Sequence, residues 1–247
     1  MRMFDYAYCG QDYLKKIQTL SEMSPEKWSF DSKNDNSILI NYIEHTFKKV
    51  YEEGKVTTSD SHSLFNTGLY SVYNEPIFAY FIKNKNPDRQ IWFFEGFHTK
   101  YQLGMMKVQS FPERANYFSD PSALVFNASF DIHIQNSHIF GDQINASRIP
   151  ESVRYSPSKI MLFEAAVQNA KYKIEANYKT AIPQYYNGKI QLLIPICLVN
   201  PTQPDLALVC SLNDDKTAYW GHTCLTLEMA YNNARLIARP DSLWLIP

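Results

Sequence analysis

Glycine is scarce, with eight in 247 residues. None falls in a G-x-G-x-x-G, Walker A or G-x-S-x-G setting, so the dinucleotide folds, P-loop enzymes and serine hydrolases that announce themselves by those loops are excluded. Cysteine is scarcer still. Cys9, Cys197, Cys210 and Cys224 form no Cys-x-x-Cys pair, which removes the usual zinc and dithiol motifs. Cys197 and Cys210 lie in apolar runs and read as buried free thiols. Neither sign of charge dominates: 24 basic residues face 25 acidic ones, a net charge of −1. No global basic field therefore draws in nucleic acid, although a local patch is still compatible with this balance. No apolar stretch reaches the ~18 residues of a spanning helix, and "MRMFDYAYCG" lacks the apolar run of a signal peptide. The expectation is a cytoplasmic protein with no membrane partner.

What is present is core-forming material. Hydrophobic residues make up 45% of the chain and aromatics 15%, enough for a large core and too much for disorder. No internal repeat or low-complexity linker appears, so residues 1–247 read as a single α+β domain. Residues 1–60 read as mostly helical and 64–247 as sheet-rich. "QDYLKKIQTLSEM" is a short helix, and Ser24-Pro25-Glu26 is a cap-then-proline start signal. "NSILINYIEHTFKKVYEEG" keeps Leu39, Ile43, Phe47 and Val50 on one face and ends at Gly54. "EPIFAYFIKN" and "RQIWFFEGFH" flank the turn-prone "KNPDR" and read as a hairpin. "SALVFNASFDIHIQ" offers another short strand or two, and a helix runs through "SKIMLFEAAVQNAKYKI". Asn187-Gly188 is a tight hairpin turn between two further strands. "DLALVCSL" and "TAYWG" follow, then a final helix, "TLEMAYNNARLIA". The helices are expected to pack on a mostly antiparallel or mixed sheet. Pro183 and Pro195, inside the strongest strands, each predict an edge or a bulge.

Three polar clusters stand out. "NSHIFGDQINASRIP" places His138, Asp142, Asn145 and Arg148 within eleven residues. On one helix, His138 and Asp142 would share a face, where a carboxylate orients an imidazole for acid–base work. Asp131 and His133 lie upstream, two apart, and a divalent-metal site can be drawn from Asp131, His133, His138 and Asp142, though no known ligand spacing supports it. The alternative is a loop braced by its own hydrogen bonds. On the final helix, Glu228, Asn232, Arg235 and Arg239 share one stripe that suits a binding face or a solvated ion pair. The hairpin carries Lys179, Gln184, Tyr185, Tyr186 and Lys189, which suit phosphate contacts and base stacking or plain strand decoration. Asn66, Thr67 and Gly68 read as a turn whose amides accept an anion, or as a plain turn.

The wording of "FNTGLYSVYNEPIFAYF", "YFSDPSALVFN", "NSHIFGDQINASRIP", "ANYKTAIPQYYNGKIQLLIPICL", "DLALVCSL" and "LTLEMAYNNARLIARPDSLWL" resembles the bacterial family named domain of unknown function 3825, DUF3825. The resemblance runs from about Trp28 to Leu245. It implies an association with RNA, because members of that family are joined to small RNA-binding modules of cold-shock or OST-HTH type. It carries over no catalytic residue.

Three functions follow as expectations. The first is recognition and phosphoester processing of a nucleotide or RNA in a polar cleft. There His138, Asp142 and Glu228 do the acid–base work, and Asn66, Asn145, Arg148, Lys179, Tyr185, Lys189, Asn232 and Arg235 bind substrate. The second is a non-catalytic single-strand module that stacks bases on Tyr185 and Tyr186, with Trp92 and Phe94. The third is a protein-interaction scaffold with no small ligand.

Overall fold

The computed structural model describes residues 1–30, 35–241 and 244–247. Its contacts divide the chain into two compact units, Met1–Asn116 with Pro247, and Tyr117–Ile246. Each has its own five-stranded sheet, where the sequence suggested one continuous sheet-rich core. The boundary falls inside "ERANYF", which holds none of the proline or glycine that marks a linker.

In the first unit, α1 (Met3–Tyr6) and β1 (Ala7–Tyr8) precede α2 (Tyr13–Met23) and α3 (Ser37–Glu52). α3 buries Ile38, Leu39, Tyr42, Ile43, Phe47 and Val50, the i, i+3/i+4 stripe of a helix packed on one side. Gly54, at φ +66°, lies just past its end. Ser24-Pro25-Glu26 starts no helix. Ser24 is the C-cap of α2, and its carbonyl accepts from Trp28 Nε1 at 2.8 Å.

The strands β2 (Thr57–Thr58), β3 (His62–Tyr70), β4 (Pro76–Lys83) and β5 (Trp92–Thr99) form an antiparallel meander. β1 joins β5 in parallel, giving the order β1-β5-β4-β3-β2. On one face Phe47 of α3 meets Phe65 at 5.2 Å, and Phe81 meets Phe94 at 5.4 Å. The other face carries Leu64 and Phe78 against Val108 and Leu103; Leu103 belongs to α4 (Lys100–Met105), a helix capped by Thr99.

Asn66-Thr67-Gly68 offers no anion nest. The Gly68 amide donates to Asn66 Oδ1 at 2.9 Å, and the Leu69 amide to Thr67 Oγ1 at 3.2 Å. The carbonyl of Thr67 accepts from Tyr42 Oη at 2.8 Å. Gly68 has φ +76°, and a Cβ there would stand 2.8 Å from Tyr42 Oη. Strain and clash together set the cost of Gly68→Ala at about 2–4 kcal/mol. Urea unfolding checks this. In Tyr42→Phe/Gly68→Ala the clash is gone, so the double variant loses less stability than the sum of the singles.

In the second unit, β6 (Asp131–Ile134) leads through the short helices α5 (Asn136–Gly141), α6 (Gln143–Ser147) and α7 (Glu151–Arg154) to α8 (Lys159–Ala176). An antiparallel meander follows: β7 (Ile182–Tyr186), β8 (Lys189–Ile196), β9 (Leu206–Leu212) and β10 (Ala218–Leu225). α9 (Leu227–Arg235), capped by Thr226, closes it. α8 packs Phe163, Val167, Ala170 and Ile174 onto Leu192, Ile194, Leu208 and Cys210 of the sheet. The turn between β7 and β8 has Asn187 at φ +47° and Gly188 at φ +81°, as a type I′ turn requires.

Pro183 lies on the edge strand β7, as expected. Pro195 lies on an interior strand with no bulge, in register with Ala207. β7 begins at Ile182, opposite Leu193, so beside Pro195 β8 has already become an edge and needs no donor there.

The α+β plan holds, and it recurs. The second sheet has the order β6-β10-β9-β8-β7 with β6 parallel to β10, the same plan as the first. In both units the last strand runs into a threonine-capped helix. No sequence repeat shows this, because the plan returns without its wording. Among the described residues, no helix is long and apolar enough to cross a membrane.

Candidate functional site

Asn145 is the hub of the second unit's polar cluster. It is buried at 7% exposure, and its position on α6 is set by Asp142, whose carboxylate caps that helix by accepting the Asn145 amide at 2.9 Å. His138 and Asp142 do not share a helix face. α5 stops at Gly141, and Asp142 is extended at φ −77°, ψ 124°. Asp142 therefore builds the turn and does not orient His138.

Asn145 Oδ1 accepts from Arg148 Nη1 at 2.9 Å and from Thr223 Oγ1 at 2.8 Å. Arg148 Nη1 also donates to the Cys224 carbonyl at 2.7 Å. Because a guanidinium only donates, this assigns the amide: Nδ2 points the other way, to His138 Nε2 at 3.1 Å. His138 Nε2 must then be a lone pair, so its ring is neutral with the proton on Nδ1.

A second imidazole stands beside it. The pairing of β9 with β10 shifts register between Gly221 and Thr223, and His222 sits in that bulge. Bulges re-aim side chains next to functional sites. His222 Nδ1 lies 3.4 Å from Gln135 Oε1; the tautomer that donates this bond carries its proton on Nδ1 and leaves Nε2 as the free base. Burial holds the His222 pKa below its ordinary value, and the positive charge of Lys189 pushes it the same way. Both rings thus carry the same tautomer and present opposite groups: His222 a lone pair, His138 an N–H. Trp220, two residues before His222, is 41% exposed, with its ring 5.2 Å from His133.

The other expected site residues lie elsewhere. Lys179 pairs with Asp241 at 3.1 Å in a separate groove of about 600 Å³ that includes Lys173, Pro195 and Trp244. Tyr185 packs edge-to-face on Tyr117 at 4.9 Å. Asn66 belongs to the other unit, where its amide donates to the Pro112 carbonyl at 3.3 Å. On α9, Glu228 is exposed, Arg235 is buried, and Asn232 Oδ1 is enclosed without a partner. Arg239 falls outside the stripe, because α9 ends at Arg235. Beneath α9, Asn233 donates to Gln184, Gln184 to Gln191, and Gln191 to Ser211, an amide chain across three strands. The metal site drawn from Asp131, His133, His138 and Asp142 does not assemble. Among the described residues, no three His, Cys, Asp or Glu side chains gather closely enough to hold an ion.

All four cysteines are free thiols. Burial pushes the Cys9 and Cys224 thiols up to about 12, so they are packing groups and not nucleophiles. Sequence reading missed His222, Thr223, Gln135 and Trp220. The signal was the Gly-His-Thr at 221–223 that continues "TAYWG". In the first unit the corresponding strand β5 also carries a glycine followed by a histidine and a threonine, Gly96, His98 and Thr99. There His98 is bonded to Glu95 and lies 5.8 Å from the ring of Tyr80.

A family model described as Domain of unknown function (DUF3825) matches residues 20–244. No curated protein and no solved structure matches the chain.

Proposed function

The chain belongs to the DUF3825 family, and from the site just described we propose that it recognises and processes a phosphoester of a nucleotide or RNA. The observation that carries this reading is the pair of neutral imidazoles presenting an acceptor at His222 and a donor at His138. His222 Nε2 takes the proton from the attacking water or hydroxyl, and the neutral His138 Nδ1–H donates a hydrogen bond to a phosphate oxygen without giving up its proton; the proton held at His222 is then released to the departing oxygen. The Lys189 ammonium, whose charge reaches His222, stabilises the negative charge that builds on phosphate. Asn145 and Arg148 hold His138 and β10 in place, and the exposed face of Trp220 stacks a base.

A thermal-shift screen with nucleoside mono-, di- and triphosphates and a single-stranded RNA dodecamer, with and without Mg²⁺ or Mn²⁺, tests recognition. A bound class raises the melting temperature by mass action, and a hundredfold excess over Kd adds about 2.7 kcal/mol. Lys189→Ala is expected to weaken binding tenfold or more and to flatten its salt dependence. A flat screen at saturating concentrations contradicts the proposal. A second reading, binding without turnover, draws on the exposed rings of Trp220 and Tyr186, 41% and 52% accessible. It predicts loss of binding in Trp220→Ala and no product from the unmodified protein.

A further inference from the structure

The second sheet has an edge that is built to accept a strand. β6 pairs with β10 on one side, and among the described residues no strand pairs with its other side. The Gln135 amide donates to the Gly221 carbonyl at 3.0 Å. By the alternation of a parallel ladder, His133 and Asp131 turn their backbone groups to β10 as well, and Ile132 and Ile134 turn theirs outward. Outside this edge runs a groove of about 520 Å³, walled by β6 and by Glu164, Gln168 and Lys171 of α8. At one end Lys171 Nζ donates to the Phe130 carbonyl at 3.0 Å. At the other stands Asn136, whose Oδ1 is enclosed with no donor in reach.

We propose that this groove binds an extended, basic peptide segment as a sixth strand, hydrogen-bonded to the outward amides and carbonyls of Ile132 and Ile134. Four residues of strand span ~13 Å, so the segment is short. Its charge follows from the two faces. Ile132 and Ile134 pack toward the core under α8, so Asp131 and His133 point to the opposite face. A peptide side chain on the helix side meets Glu164, and its neighbour on the far side meets Asp131, so two adjacent basic residues each find a carboxylate. The cation already present, Lys171, is held by the Phe130 carbonyl. The Asn136 carbonyl oxygen accepts a peptide N–H. The edge is short and charged, which suppresses indiscriminate pairing, and the wall of α8 restricts what can add. The groove adjoins the imidazole pair through Gln135, which meets His222, but the proposal does not rest on the chemistry there.

Titration of the full chain with acetyl-Val-Lys-Lys-Val-amide, followed by amide chemical shifts, tests this. The expected result is saturable binding, with the largest shifts at 131–136, weakened at least fivefold by Glu164→Lys and by raising salt from 50 to 300 mM. Acetyl-Val-Glu-Glu-Val-amide is expected not to bind. Ile132→Pro removes an outward donor while leaving the β10 ladder intact, and abolishes binding. Should that variant unfold, Glu164→Lys, a change on the exposed helix surface, still decides. Equal binding of both peptides, binding of neither, shifts centred elsewhere, or concentration-dependent pairing of two chains through β6 would each overturn the proposal.

Discussion

Replacing His222 with asparagine is expected to lower turnover of an RNA or nucleotide phosphoester by about 10²–10⁴-fold, the usual contribution of a positioned general base. Asparagine keeps a polar atom near Gln135 and removes the basic nitrogen, so ligand-induced thermal shifts persist while product formation stops. The pH profile adds a readout that a merely structural residue does not move. His222 acts unprotonated, and burial together with the Lys189 ammonium depresses its pKa. Turnover is therefore expected to hold as pH falls to about 6.5, the ordinary histidine value, and to decline below it. Lys189→Ala removes the opposing charge and moves that decline to higher pH. The same sign governs stability: a depressed folded-state pKa contributes stability above pH ~6.5 that is lost as pH falls through the folded value.

Asn145 carries the second large effect. Its side chain makes bonds to Arg148, Thr223 and His138, and removing it takes a partner from the half-buried Arg148 and Thr223 at once. Asn145→Ala is expected to cost about 2–4 kcal/mol, a fall in melting temperature of roughly 5–15 °C. Asn145→Asp separates support from chemistry. Its carboxylate still accepts from Arg148 and Thr223, but faces His138 Nε2 with a lone pair where an N–H had been. The conflict is relieved when His138 takes a proton, so the Asp variant is expected to be more stable at low pH than at high pH. Melting curves at pH 6 and pH 8.5 check this. An Asp variant equally stable at both pH values contradicts the bond between Asn145 and His138.

How far the site was legible depended on whether geometry was local. The helix over Ser37–Glu52, the hairpin at "KNPDR" and the Asn187-Gly188 turn follow from periodicity and turn chemistry, which act over a few residues. The cluster around Asn145 was visible as composition, and its bracing role was one of the two readings kept open. Its partners were not visible, because Thr223 and Cys224 lie 78 and 76 residues from the groups they meet. His222 was hidden for a related reason. A bulge aims it, and a bulge is a feature of pairing between β9 and β10 that one strand's sequence does not show. The helical wheel over the final helix ran past Arg235, so Arg239 was placed in a stripe that the chain does not continue. The residue of that helix that meets the sheet's amide chain, Gln184 to Gln191 to Ser211, is Asn233, outside the stripe. Lys179 and Tyr185 were read beside the cluster because they share a hairpin region with Lys189. Lys179 lies in the single turn Tyr178–Thr180 before that hairpin and pairs with Asp241, and Tyr185 packs on Tyr117.

The most direct test of the central claim is long-range ¹H–¹⁵N correlation of the histidine rings, titrated with pH and repeated with adenosine monophosphate and the RNA dodecamer. The account predicts that His138 and His222 are both neutral at pH 7 with the proton on Nδ1. It also predicts a His222 midpoint below 6.5 and shifts in both rings when the phosphoester binds. A His222 ring protonated on Nε2 at pH 7, or two rings that ignore saturating ligand, would contradict it.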